Sequence, residues 1–176
     1  MARAPKVPPA ELPPEERYKK AKEICFDLLA ARPRTQEELR QALRRKGFDD
    51  ETSEALLGKL DRAGLVNDAE FAELWVKSRH ANQGLSRTAL VAELRRKGVD
   101  DEVAREALDE IDPEHEVEAA RSLVRRKLRS LSDLDQQVAV RRLTGMLARK
   151  GYPPTVAFRV IREELDADLV DPEHLT

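Results

Sequence analysis

Apolar residues recur at helical spacing from Ala21 to Leu165, and no stretch sustains the every-second-residue alternation of a half-buried strand. The first stripe is Ala21, Ile24, Cys25, Leu28 and Leu29, the i, i+3, i+4, i+7, i+8 face of an amphipathic helix. Pro33 predicts its end. Thr35-Gln-Glu-Glu38 reads as a capping box that opens a second helix, in which Leu39 and Leu43 point inward. Asp49 and Asp50 predict the start of a third, carried by Leu56, Leu57 and Leu60.

The same order then repeats. Asn67 or Asp68 caps a helix whose inward face is read as Phe71, Leu74, Trp75 and Ser78. Gly84 breaks it, Ser86 caps the next, and Leu90 and Leu94 match Leu39 and Leu43. Asp100-Asp101-Glu102 parallels Asp49-Asp50-Glu51, and Val103, Ala107, Leu108 and Ile111 match Thr52, Leu56, Leu57 and Leu60. A third round opens at Asp112-Pro113-Glu114, with proline near a helix start, and a long helix is expected to reach about Leu131. Ser132-Asp-Leu-Asp135 caps another helix. Pro153-Pro154 stands where the acidic caps stood, and Val156, Val160, Ile161 and Leu165 complete the pattern.

The second helix of each round ends alike: Leu43-Arg-Arg-Lys-Gly47 with Phe48, Leu94-Arg-Arg-Lys-Gly98 with Val99, and Leu147-Ala-Arg-Lys-Gly151 with Tyr152. The glycines stand 51 and 53 residues apart, a period that points to a tandem array of small helical units. Glycine enters the left-handed conformation without a Cβ clash, and apolar residues on either side of it form the hydrophobic pair of a Schellman cap. The expected fold is therefore all-α, with three tandem three-helix, helix-turn-helix-like repeats at 18–66, 67–111 and 112–168. Residues 1–17 hold five of the ten prolines and read as a disordered arm, and 169–176 as an acidic tail.

Composition narrows the function. With 38% charged residues and a net charge of −2, the chain has no global basic field, so any nucleic-acid contact must be local. The one cysteine excludes an internal disulfide and fits a reducing cytoplasm. No apolar run is long enough to span a membrane. His80, His115 and His174 lack metal-ligand spacing with Cys25 and read as ordinary histidines; Cys25 lies on an apolar stripe and reads as a packing residue. No carboxylate pair or phosphate-binding glycine loop is apparent. The expectation is a protein that is not an enzyme and has no cofactor or metal.

Basic clusters are the remaining signal: Arg44-Arg45-Lys46, Arg95-Arg96-Lys97, Arg125-Arg126-Lys127 with Arg129, Arg141-Arg142 and Arg149-Lys150. Cations in the last helical turn also complement the helix dipole by ~0.3–1 kcal/mol, so a purely structural role competes with a binding one. From Arg121 to Lys150 nine Lys/Arg face only Asp133 and Asp135, a local charge of +7. Beyond Arg162 the charged side chains are acidic. This polarity favours contact with nucleic acid or an acidic partner by the third repeat. Trp75 and Arg79, one turn apart, read as a core tryptophan with a flanking arginine, with recognition by Arg79 as the alternative.

Asp68, Phe71, Ala72, Trp75, Val76 and Arg79, followed by Gly84, Leu90, Leu94 and Lys97-Gly98, resemble the RecX family of RecA recombinase modulators. Lys46-Gly47-Phe48 and Lys150-Gly151-Tyr152 belong to the same pattern, and the resemblance spans Ala21 to Leu165. It implies an elongated, curved molecule that binds RecA filaments on DNA and reduces RecA's ATPase and strand-exchange activities. Recombination, DNA repair and the SOS response are the setting implied. It also implies weaker binding to single- and double-stranded DNA. A monomer is expected, since no dimerisation segment is apparent. The family supplies no catalytic motif to carry over. The competing class is a helix-turn-helix transcription regulator, which often reads paired half-sites as a dimer.

Overall fold

The computed structural model describes residues 7–170, with side chains up to Asp166. The described residues form α1 (Pro14–Ala31), α2 (Gln36–Arg45), α3 (Asp50–Arg62), α4 (Asp68–Gln83), α5 (Arg87–Arg96), α6 (Asp101–Asp109), α7 (Pro113–Leu128), α8 (Gln136–Arg149) and α9 (Pro154–Val170), with no strand among them. The predicted caps are the observed ones. Thr35 and Glu38 form the reciprocal capping box of α2. Asp49, Asn67, Ser86, Asp100, Asp112 and Asp135 each accept a backbone N–H from the first turn that follows. Each satisfies a donor that the helix itself cannot.

The repeated glycines adopt φ of +86° at Gly47, +77° at Gly98 and +86° at Gly151. The Phe48, Val99 and Tyr152 amides donate to the Leu43, Leu94 and Leu147 carbonyls at 3.0–3.1 Å, and each glycine amide donates to the residue three before it. These are paired Schellman bonds. Gly64 ends α3 the same way, with Leu65 N donating to Leu60 O at 2.9 Å.

Contacts divide the chain into two units, each with its own core. One comprises the chain up to Ala72 together with Leu94–Ala104; the other comprises Glu73–Glu93 and the chain from Arg105 on. The middle triad is thus shared between them. In the first unit Ala21, Cys25, Leu39, Leu43, Leu56 and Leu57 are essentially inaccessible. In the second Ala120, Val124, Leu143, Leu147, Val160 and Ile161 are.

One joint occurs in each unit. In the first, Thr35 Oγ1 donates to Lys97 O at 2.6 Å, and Lys97 Nζ donates to Glu38 at 3.0 Å. A Cβ on Gly98 would overlap the Glu37 side chain. In the second, Ser86 N donates to Lys150 O at 3.0 Å, and Lys150 Nζ donates to Gln83 O at 2.8 Å. A Cβ on Gly151 would stand 2.7 Å from that of Ala89. The first turn of α2 or α5 therefore seats against the Lys-Gly end of the second helix in the next triad. Close backbone approach requires the glycine.

Three expectations are corrected. Part of the proline-rich arm is folded: Pro9–Glu11 form a 3-10 turn, α1 begins at Pro14, and Leu12 is buried. Arg17 supplies the reason, donating to the Pro9, Ala10 and Leu12 carbonyls and pairing with Asp49 at 2.9 Å. Residues 1–6 and 171–176 lie outside the described residues, so the acidic tail is not addressed beyond the end of α9. Next, α7 stops at Leu128, where Ser130 Oγ turns back onto Lys127 O at 2.8 Å. Finally, the inward face of α4 is Phe71, Ala72 and Val76, while Leu74 is 55% exposed.

Candidate partner-binding surface

The basic residues singled out by sequence fall into two groups. Many are already engaged within their own unit. In the first unit, Arg44 pairs with Asp50 at 3.0 Å, Arg95 with Asp101 at 2.9 Å, and Lys97 with Glu38. In the second, Arg79 stacks on Trp75 with its guanidinium 4.4 Å from the ring centroid and lies 3.7 Å from Glu93. The indole N–H donates to the same Glu93 carboxylate at 2.8 Å. Trp75 is thus a half-buried residue in a polar triad rather than a core residue. Lys150 serves the Gln83 carbonyl.

Arg125 belongs to a larger cluster. Glu164, only 5% exposed, accepts from Arg121 at 3.1 Å and from Arg125 at 2.7 Å. Arg121 also pairs with Glu163 at 2.9 Å and with Glu118 at 3.1 Å. These contacts tie α7 to α9 and raise the affinity of both guanidinium groups for their protons. Hydrogen bonding to the buried carboxylate is the chief cause in each case. The acidic run after Arg162 therefore neutralises the start of the basic segment instead of standing apart from it.

The second group is exposed, and its members have no ion-pair or hydrogen-bond partner among the described residues. Arg45, Lys46 and Arg96 belong to the first unit. Arg126, Lys127, Arg129, Arg141, Arg142 and Arg149 belong to the second. Sequence reasoning passed over Arg159 and Arg162 of α9, which are likewise exposed. They flank Phe158, 56% exposed, at a cleft of about 490 Å³ lined also by Gln136 and Val140. The i, i+1, i+4 spacing of Phe158, Arg159 and Arg162 was the available signal. A cationic face beside an exposed aromatic ring suits a polyanion, since guanidinium groups recognise phosphates and ring faces stack on bases.

Cys25 is fully buried, and burial pushes its thiol up to about 11, so it is a poor nucleophile. His80 and His115 both line a cleft of about 410 Å³, but the His80 Nδ1 lies 3.0 Å from Leu85 O. Among the described residues no group of three or more His, Cys, Asp or Glu side chains is placed to hold a metal ion. His174 lies outside the described residues. No described helix is long and apolar enough to cross a membrane.

Fold and surface together define a helical repeat protein whose exposed chemistry suits binding. Three family models match in order: RecX, first three-helix domain, over residues 21–60; second, over 67–108; and third, over 114–161. The chain is 77% identical to "Regulatory protein RecX" of Amycolatopsis mediterranei over 159 residues, which cover 90% of this chain and 91% of the relative. It is 49% identical to the protein of the same name from Thermobifida fusca over 158 residues, 90% and 85% of the two chains. The chain belongs to the RecX family of regulatory proteins. The crystal structure of RecX from Lactobacillus salivarius shares the fold, with a TM-score of 0.73 at 22% identity over 83% of this chain and 95% of that one. A second crystal structure, of a regulatory protein RecX, gives 0.75 at 23% identity over 83% and 73%.

Proposed function

We propose that this protein regulates RecA by binding its filaments on DNA, and that it inhibits RecA's ATPase and strand-exchange activities. The observation that carries this reading is the ordered match of all three triads to the RecX domains. The protein works as a ligand and alters no covalent bond. The three triads, at 18–66, 67–111 and 112–168, act as linked contact modules, so modest contacts add through effective concentration.

The partner-facing cations are the unpaired set in the second unit: Arg126, Lys127, Arg129, Arg141, Arg142 and Arg149. They carry positive charge with no ion-pair partner among the described residues, whereas Arg121, Arg125 and Lys150 hold the fold together. Each phosphate contact adds close to one to the slope of log affinity against log salt.

The test is RecA's ATPase on single-stranded DNA with rising amounts of this protein. Hydrolysis should fall at substoichiometric to near-stoichiometric ratios, with RecA recovered unmodified. Unaltered hydrolysis at saturating protein, with filaments intact by microscopy, would reject the proposal. Replacing Arg126, Lys127 and Arg129 by Ala should weaken DNA binding across sequences and lower the salt slope by up to about three. If inhibition weakens while free-DNA binding is unchanged, those residues face RecA.

A further inference from the structure

The three Lys-Gly ends are equivalent, but only two meet a helix of this chain in the same way. Gly98 abuts the first turn of α2, and Gly151 abuts the first turn of α5. Gly47 belongs to the first triad, and among the described residues no second helix meets it. Pro9 occupies that place, with its ring Cδ 3.6 Å from where a Cβ on Gly47 would stand. Pro9 is the first residue of the 3-10 turn Pro9–Glu11, so the group seated on Gly47 is again the start of a helical turn.

The turn is held there by more than contact. The Arg17 guanidinium binds three carbonyls around it and ties them to Asp49, the N-cap of α3. Leu12 is buried behind it. The lysine, by contrast, is left over. Lys97 binds Glu38 in the helix seated on its glycine, and Lys150 binds the Gln83 carbonyl at the end of the preceding helix, whereas Lys46 is exposed without a partner among the described residues.

We propose that Pro9–Glu11 is an intramolecular stand-in for the first turn of a missing second helix, and that it closes the Lys46-Gly47 end of the array against a second copy of this chain. The occupant it excludes is the first turn of α8 from that copy. Among the described residues no Lys-Gly end seats against that turn: Asp135, Gln136 and Gln137 are all exposed. Its N-cap is an aspartate, opposite in charge to Lys46, as Glu38 is to Lys97. A chain with one open socket and one open plug makes a head-to-tail contact that does not close on itself by symmetry. Repeat arrays need terminal caps for the same reason.

The experiment compares the full chain with a variant lacking residues 2–12, by sedimentation velocity over a wide concentration range, with no RecA or DNA present. The full chain should sediment as a single copy throughout. The shortened chain should gain mass with concentration, and Asp135→Lys in the shortened chain should return it to a single copy. A shortened chain that keeps its helical circular dichroism and stays single at every concentration overturns the proposal. So does association that Asp135→Lys leaves untouched. If the shortened chain loses helicity, the full-length Leu12→Ser/Arg17→Ala variant, which releases the turn without removing it, is read by the same two criteria.

Discussion

Gly98→Ala should be among the most damaging single-methyl additions to the first unit, and Gly64→Ala supplies its control. Both glycines belong to that unit and have positive φ, +77° and +69°. An alanine forced into the left-handed region costs about 1–2 kcal/mol. Its stiffer unfolded chain returns about 0.4–1 kcal/mol. At Gly64 nothing lies within 4 Å of the added methyl, so the net loss is about 1 kcal/mol. At Gly98 the methyl overlaps the Glu37 side chain, whose Cα is 3.7 Å away, so α2 or α5 must move. Overpacking of that kind adds about 1–3 kcal/mol. For a chain of this length each kcal/mol lowers the melting temperature by roughly 2–4 °C. Thermal melting of Gly64→Ala and Gly98→Ala, followed by far-ultraviolet circular dichroism, reads the difference. Equal melting temperatures would refute the claim that Gly98 is required by the neighbouring helix and not by its backbone angle alone. Gly47→Ala, with only Pro9 at 3.6 Å, should resemble Gly64→Ala.

Burial pushes the Glu38 carboxyl up, but hydrogen bonds from Arg32 and Lys97 outweigh it and hold the group at about 2. Its folded value thus lies below the unfolded one of ~4.3, so its stabilisation is full above that pH and is lost as pH falls toward 2. Glu38→Gln should remove this step from the stability profile of the first unit, and an acid titration of unfolding midpoints checks it. Glu164→Ala should lower the melting temperature by stripping Arg121 and Arg125 of their shared partner, whereas Arg126→Ala/Lys127→Ala should leave it nearly unchanged. The reverse order would mean that the cluster does not hold α9. Cys25 should react with a thiol reagent only at the rate of unfolding; rapid reaction in native buffer would contradict its burial.

Much of the fold was legible because its signals are local. The caps at Thr35, Ser86 and Asp135 and the glycine ends lie within one helical turn of what they control, so residue type and spacing suffice. The candidate surface was less legible, because the partner of a cation is set by packing. Arg121 and Arg125 meet Glu164 across 43 and 39 residues, and Lys97 meets Glu38 across 59. In sequence these side chains look the same as Arg126 or Arg142. The Arg-Arg-Lys clusters therefore mixed two kinds of residue. At Arg95-Arg96-Lys97 the lysine fastens a joint, Arg95 pairs with Asp101 at the start of α6, and Arg96 is exposed with no partner among the described residues. The proline arm misled for a related reason. Its composition argues against packing, yet the carbonyls of Pro9, Ala10 and Leu12 are met by Arg17 at the arm's own end, which pairs with Asp49, 32 residues further on.

The joint between successive triads also bears on how such a chain can change over generations. A helix start with a small hydroxyl residue seats on a Lys-Gly end, and the same pairing serves at Thr35 with Lys97 and at Ser86 with Lys150. An in-frame duplication of about one period would bring its own start and its own end. A duplicated middle triad would place Ser86 against a Lys97-Gly98 end, a pairing of the same residue types as the two present here. Loss of a period would likewise leave two surviving surfaces that already match. Length can therefore be inherited in steps of roughly fifty residues, because each new joint copies one that already folds.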